Sequence, residues 1–467
     1  MSNDLIKNNS YLNKKVIGFF GGLIVFLAIY LIPISGLSYA GHMDLALSLM
    51  TVVWWATQIA QPAYVGGFFL MMLIITHTAT PAQVFSKPWT GSTMWLVMGA
   101  YLIAGAVNES GVGQRIAYAF IIRFVRTWNG LIISIFVLTL IMALLIPHPW
   151  PRAFMILAVV VAVGRAANMD KDDLSKLGLA IFAASCPLSG VFLTGDTSLN
   201  PLAVADSGVN VSFIRYFEIM SVPMIISGII TMLIIMFAFR PNKPLKINVA
   251  ELKKEQSKLG KMTGKEKRTI FWIVVAIILW LTSSITNVDV GWLTLSVAIC
   301  MSMPVIGGIL TAQSWKDVPI NVLIFLTAAM AIGNVGAVTG MNKWLAQTVI
   351  PTNLPHNIYL LALFITVFAM IIHMFMGSVI AVMGITIPAF VTATAHLGIS
   401  PLAISLLVFS VTNLHYILPF HNLAILVGMD GGGYTAKQVS KLGVALTPAI
   451  FVIALVMMFW FHIVGLA

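Results

Sequence analysis

The sequence predicts an all-α, polytopic membrane protein of about eleven transmembrane helices and two re-entrant hairpins, arranged as two inverted repeats. Three observations carry that prediction. Of 467 residues, 59% are hydrophobic and 9% charged, with a mean hydropathy of +0.98, whereas soluble domains carry about 25% charged residues. Apolar runs near the ~20 residues needed for one crossing recur along the whole length. Two further runs, about 129–165 and 355–396, are too long for one helix and break halfway, at His148–Arg152 and at Gly377-Ser378.

In order, the remaining runs put crossings near 16–36, 44–60, 63–80, 93–110, 175–206, 213–239, 269–287, 290–309, 319–338, 401–428 and 440–466. The first follows Lys7, Lys14 and Lys15 without a convincing small-residue cleavage site after it, so it reads as a retained helix and not as a signal peptide. No soluble stretch exceeds about 30 residues, which leaves no room for an ATP-binding or separate catalytic domain. Energy must come from a gradient or an exchanged solute. Cys186 and Cys300 are the only cysteines, both in apolar surroundings, which argues against disulfides and thiolate metal sites. Neither a cofactor nor nucleic acid is implied. The net charge of +11 sits in short loops, where it reads as topological bias.

That bias decides how the two broken runs are read. With the N-terminus in the cytoplasm and both runs entering and leaving on one side, the cytoplasmic segments collect Arg115, Arg123, Arg126, Arg165, Lys171, Lys176, Lys316, Lys437 and Lys441. They also include the stretch Arg240 to Arg268, which alone holds ten Lys or Arg, while Lys87 and Lys343 are external exceptions. Reading either run as a full crossing would move basic loops outside. The 240–268 stretch, with Pro241, Pro244, Gly260 and Gly264, is expected to be a solvated cytoplasmic connector, with anionic membrane lipid as an alternative partner.

The connector separates two similar halves. Gly105-Ala106-Val107, Ser110-Gly111 and Arg115-Ile116-Ala117 answer to Gly336-Ala337-Val338, Thr339-Gly340 and Trp344-Leu345-Ala346. Gly111 to His148 is 37 residues and Gly340 to Ser378 is 38, and Asn200-Pro201-Leu202-Ala203 answers to Asn422-Leu423-Ala424. The expected organisation is therefore N-terminal scaffold helices over 1–92, a first repeat over 93–239, the connector, scaffold helices over 269–314, and a second repeat over 315–467.

Broken backbone survives at membrane depth only inside protein or against a water-filled cavity. Pro147, Pro149 and Pro151 rule out a continuous helix at the first tip, and Arg152 beside them is a site candidate by default. Four stretches should converge: the tips with His148, Pro149, Trp150 and Arg152, and with Gly377, Ser378 and Val379, and two interruptions within later spans. The interruptions contain Thr194, Asp196, Thr197, Ser198 and Asn200 in one, and Pro419, His421 and Asn422 in the other. Half-helix N-termini there would point amides at an anion. Asp196 has two readings, as a pairing or proton-carrying acid and as a helix-start cap. His415 and His421, six residues apart, are expected to diverge on a helix, which argues against a metal pair.

At these residues the chain resembles the divalent anion/sodium symporter family of di- and tricarboxylate and sulfate transporters. The likeness runs from Trp95–Arg126 through both hairpins, Phe192-Leu193-Thr194 to Ala203, and Gly431-Gly432-Gly433-Tyr434 to Gly443. That family carries Ser-Asn-Thr at each tip, touching substrate carboxylate and sodium. Here His148-Pro149-Trp150 and Ser378-Val379-Ile380 stand instead, so only Ser378 matches. The family's exchanger branch looks like Ser-Asn-Thr-Ala-Arg-Ala at the first tip, and Pro151-Arg152-Ala153 keeps its arginine; Val382 stands where that branch often has histidine.

The resemblance implies a homodimeric inner- or plasma-membrane carrier of small organic anions, chiefly dicarboxylates, with the early helices at the dimer interface. Arg152 would take a sodium ion's electrostatic role and make exchange sodium-independent. Sodium- or proton-coupled symport, and cation/proton antiport using Asp196, remain open. A membrane-embedded enzyme is the remote alternative, because no paired carboxylates or clustered ligands are evident.

Overall fold

A computed structural model describes residues 2–244, 249–351 and 353–467, with side chains from Lys15 onward apart from those of Val249 and Glu251. The side chains of Lys7 and Lys14, and residues 245–248 of the connector, lie outside the described set. The chain is 79% helical, with no strand among the described residues. Four helices lead in: α1 (Ser2–Leu31), α2 (Tyr39–Thr57), α3 (Pro62–Ile75) and α4 (Pro81–Thr90). Their starts follow local chemistry. Ser38 accepts from the Gly41 amide, Thr80 closes a capping box with Gln83, and Pro62 and Pro81 stand at a first-turn position where no amide is needed.

The first repeat is α5 (Thr93–Ser110), α6 (Val112–Phe124), α7 (Trp128–Leu145), α8 (Pro149–Ala166), α9 (Lys171–Leu188), α10 (Asn200–Ser207) and α11 (Phe213–Ala238). After the connector come α12 (Val249–Ser257), α13 (Gly264–Thr286), α14 (Val290–Ser302) and α15 (Ala312–Lys316). The second repeat follows as α16 (Ile320–Thr339), α17 (Met341–Thr348), α18 (Ile358–Met376), α19 (Val379–Thr394), α20 (Pro401–Leu414), α21 (Leu423–Gly432) and α22 (Ala436–Ile463). The two series match element by element. Gly111 (φ +82°) and Gly340 (φ +84°) each end one helix and start the next in the left-handed conformation that glycine adopts without strain.

Each hairpin folds back on itself. Only Ile146–His148 separates α7 from α8, and both pack against α6 and α9; α18 and α19 likewise both pack against α20. The interrupted spans are exchanged between repeats, α9 against α21 and α10 against α20, with α11 against α22. Where α9 meets α21 the backbones touch: a Cβ on Gly178 would lie 2.3 Å from the Gly432 carbonyl oxygen. Close approach of small residues is what packs helices where lipid supplies no hydrophobic driving force.

Three expectations need refinement. Among the described residues nine helices are long and apolar enough to cross a membrane, ten if α4 and α5, bent by 47°, are one span. The runs 63–80 and 290–309 yield only the 14-residue α3 and the 13-residue α14, because Thr76–Thr80 and Met303–Thr311 turn out of the helix. The connector is also docked where it is described. Leu252 is buried, and α12 packs on α6 and α8. Arg115 pairs with Glu266 at 2.8 Å and donates to the carbonyls of Gly260 and Leu259 at 3.0 and 3.1 Å. Asn242 bonds Asp170, the cap of α9; the Asp173 amide and Asn242 hold the Asp170 carboxyl below its usual range.

Gly178→Val should destabilise the protein in detergent by more than about 2 kcal/mol through overpacking against Gly432. Gly105→Ala, where nothing lies within 4 Å, should be neutral or slightly stabilising. Thermal unfolding followed by size-exclusion chromatography checks both.

Candidate functional site

The two tips and the two interruptions meet around a cavity of about 390 Å³, within the ~300–1,000 Å³ usual for small-molecule sites. His148, Pro149 and Trp150 line it from the first tip, Asp196 and Ser198 from the first interruption, Gly377, Ser378 and Val379 from the second tip, and Asn422 from the second interruption. Thus α8, α10, α19 and α21 all begin at its wall. Four positive dipole ends converge on one volume. A neighbouring cavity of about 730 Å³ shares Tyr101, His148 and Trp150 and continues to Asn108, Gln114 and Asp317.

At the first tip the amides are withdrawn. Pro149 and Pro151 have none, and the Trp150 amide donates to His148 Nδ1 at 3.3 Å. With Nδ1 accepting, the neutral ring carries its proton on Nε2, which meets the Tyr101 hydroxyl at 2.6 Å. The Tyr101 hydrogen then points away from the imidazole, where the Ser198 side chain is its neighbour on the cavity wall. At the second tip Ser378 Oγ accepts from the Ala381 amide, and Val379 and Ile380 bring first-turn amides, which a helix leaves unpaired, to the cavity wall.

Behind the first tip lies Arg152, fully buried. Its guanidinium donates to the carbonyls of Ile146 at 3.0 Å and Gly195 at 3.2 Å, and to Ser189 Oγ. Ile146 and Ser189 are the C-caps of α7 and α9. The cation therefore sits against two negative helix ends and an interruption carbonyl, and it does not line the anion cavity. Asp196 is the carboxylate that acts on it, without ion-pair contact. Asp196 Oδ1 accepts from the Ser198 and Leu199 amides at 2.9 and 3.1 Å, which favours its capping role.

Other expected residues lie one layer back. Asn200 Nδ2 bridges the carbonyls of Ser189 and Phe192, both at 2.8 Å, and so clamps the first interruption. Asn422 does the same in the second repeat, donating to the Asn413 carbonyl and side chain and accepting from the Ala424 and Ile425 amides. Thr194 and Thr197 are buried with hydroxyls that have no protein partner, and Pro419 shapes the turn before His421. Thr194, Thr197, Asn200, Pro419 and His421 support the wall and do not form it.

The expected divergence of His415 and His421 is overturned. The chain leaves the helix at Leu414 and turns through Pro419–His421, so their rings stack with centroids 5.8 Å apart. The assumption of one continuous helix was the error. The structure also adds cavity residues that no motif marked: Lys15, Gln58, Tyr101 and Asn413. Tyr101 lies inside an apolar run, and Lys15, Gln58 and Asn413 each follow another polar residue near the end of one, so that no local pattern sets them apart.

Two matching hairpins whose tips meet two interrupted helices around one cavity define a membrane transporter. The chain belongs to the sodium:sulfate symporter family, whose transmembrane-region model matches residues 13–466. Among its relatives is chloroplastic dicarboxylate transporter 1 of Spinacia oleracea, 25% identical over 415 residues, covering 83% of this chain and 70% of that protein. The sodium-dependent dicarboxylate transporter SdcS of Staphylococcus aureus strain USA300 is 23% identical, covering 93% of this chain and 89% of that one. Among solved structures, Neisseria gonorrhoeae MtrF, described as representing a class of antimetabolite efflux pumps, shares the fold. Its TM-score is 0.52 at 14% identity, over 91% of this chain and 95% of that one.

Arg152→Ala should leave the Ile146 and Gly195 carbonyls without a donor, each unpaired buried group costing about 1–3 kcal/mol. In that variant sodium chloride should raise the unfolding temperature relative to choline chloride, because an ion can refill the carbonyl ring. The wild-type protein should show no such difference.

Proposed function

We propose that this protein carries small dicarboxylate anions across the membrane by alternating access, without sodium, exchanging one anion for another. The observation that carries the reading is Arg152, whose guanidinium spans the carbonyls of Ile146 and Gly195. Those carbonyls, one at the C-terminus of α7 and one in the first interruption, mark a cation position, and a covalently attached cation fills it. Such a charge cannot dissociate to reset the empty carrier, which favours a return journey loaded with a second anion. SdcS is named as sodium-dependent; Arg152 is the reason not to extend that dependence to this chain.

Support for a dicarboxylate comes from the relatives' names and from four helix N-termini around a volume of about 390 Å³. One carboxylate would take the amides of Val379 and Ile380 with the Ser378 hydroxyl, beside the Asn422 that clamps the second interruption, and the other the Tyr101 hydroxyl and the His148 side of the cavity. The two hairpins with α9, α10, α20 and α21 would move as one unit against the remaining helices, with the repeats inverted and the early helices joining two protomers. In the plasma membrane with a cytoplasmic N-terminus, the larger cavity reaches Gln114 and Asp317, beside the basic residues Arg115 and Lys316 of the cytoplasmic face.

Counterflow of labelled succinate into succinate-loaded liposomes tests this, with malate, 2-oxoglutarate, citrate and sulfate as competitors. Initial rates in sodium and in choline should agree within about twofold, and empty liposomes should take up little label. Uptake that needs a sodium gradient, or equal uptake into empty liposomes, would contradict the reading.

A further inference from the structure

The second repeat has a counterpart to the Arg152 position, and it is filled differently. In the first repeat the cation lies at the C-terminal ends of α7 and α9. The corresponding ends in the second repeat are those of α18 and α20. His373 occupies the last turn of α18, and His415 is the C-cap of α20. Their Nδ1 atoms face each other at 3.3 Å. His373 Nε2 donates to the carbonyl of His421 at 3.0 Å, the residue just before the Asn422 cap of α21. The His421 ring completes a triangle, with centroids 5.1 Å from His373 and 5.8 Å from His415.

All three rings are buried, and among the described residues His421 Nε2 has no hydrogen-bond partner. Among the described residues no carboxylate, lysine or arginine bears on any of them. Of the elements packed on α18, α2 carries Asp44, but Thr339 and Ser48 hold its carboxylate. The helix α22 bears charged or titratable groups only towards its ends, and α19 bears none. The Tyr416 hydroxyl, next in sequence to His415, is buried without a hydrogen-bond partner among the described residues, and the remaining charged groups on helices packed against α20 are Asp206 of α10 and those in the first turns of α9. Among the described residues the helix ends nearest the cluster are the C-termini of α18 and α20, which favour a cation, and the N-terminus of α21 beside His421, which opposes one.

We infer that His373, His415 and His421 form the cation site of the second repeat and that its cation is a proton, taken up as the anion binds. The inference rests on the anion-transport reading and completes it, since one repeat holds a permanent charge and the other a charge that comes and goes. The added proton makes one of the facing imidazoles cationic, so that the Nδ1–H···Nδ1 bond between them becomes charge-assisted. The cluster lies directly behind the second tip: Gly377 returns its amide to the His373 carbonyl, and Phe420, which packs on the His421 ring, lines the anion cavity. A positive charge there strengthens binding of a dianion at the Ser378 end, and an anion in the cavity strengthens binding of the proton by the same factor.

Calorimetric titration of succinate into the purified full-length protein, in two buffers of different ionisation enthalpy near neutral pH, reads the proton directly. Succinate is a dianion there, so uptake belongs to the protein. The expected result is net uptake of up to one proton per protomer, because the bound dianion favours the charged form of a cluster that is neutral in its absence. It should be lost in His373→Gln and reduced in His415→Gln, which serves if the first variant does not fold. Equal heats in both buffers, or undiminished proton uptake in a folded variant, would overturn the proton site while leaving anion transport intact. Absence of binding by succinate, malate, 2-oxoglutarate, citrate and sulfate alike would overturn the transport reading and the coupled proton with it.

Discussion

A helix that stops inside a membrane leaves amides at one end and carbonyls at the other without water to bond them, and the centre of this protein is built around that demand. Eight helix ends meet there, in two sets. The N-termini of α8, α10, α19 and α21 face a shared cavity suited to an anion. The C-termini of α7, α9, α18 and α20 face positively charged or chargeable side chains, Arg152 in one half and His373 with His415 in the other. Asn200 and Asn422 hold the interruptions open by bonding the carbonyls that a continuous helix would have used.

The repeat makes the two halves equivalent in backbone, and their chemistry then separates them. At the first tip the prolines remove amides and His148 consumes the one that remains, so recognition passes to Tyr101 through the imidazole. At the second tip Gly377, in the left-handed conformation, turns the chain tightly, and the amides that follow stay available. A dianion bridging the two ends would meet a side-chain hydroxyl on one side and backbone on the other. Discrimination between anions of different length would then rest on the distance between two differently built ends.

Much of this was legible because prolines, amides and hydroxyls inside apolar runs are anomalies that demand an explanation. His148, Trp150, Ser378 and Asn422 stood out for that reason, and all four line the cavity. Arg152 stood out as well, but a charge in a sequence carries no direction, and only the packing turns it away from the anion and onto carbonyls. Tyr101 and Asn413 were invisible because one polar residue in a helix is unremarkable until its neighbours are known. His373 lies within an unbroken apolar helix, and nothing in the sequence ties it to the interruption that holds His415 and His421. The short α3 and α14 were overestimated because hydropathy continues past the point where the backbone turns.

The account stands or falls on where the Arg152 guanidinium lies when both sodium and anion are present. A cryo-EM map of the full chain with sodium chloride and succinate, clear enough to trace that side chain, is the most direct measurement. Density joining the guanidinium to the Ile146 and Gly195 carbonyls, with no separate ion between them, is the predicted result. A guanidinium turned into the anion cavity, with an ion held by those carbonyls instead, would contradict it.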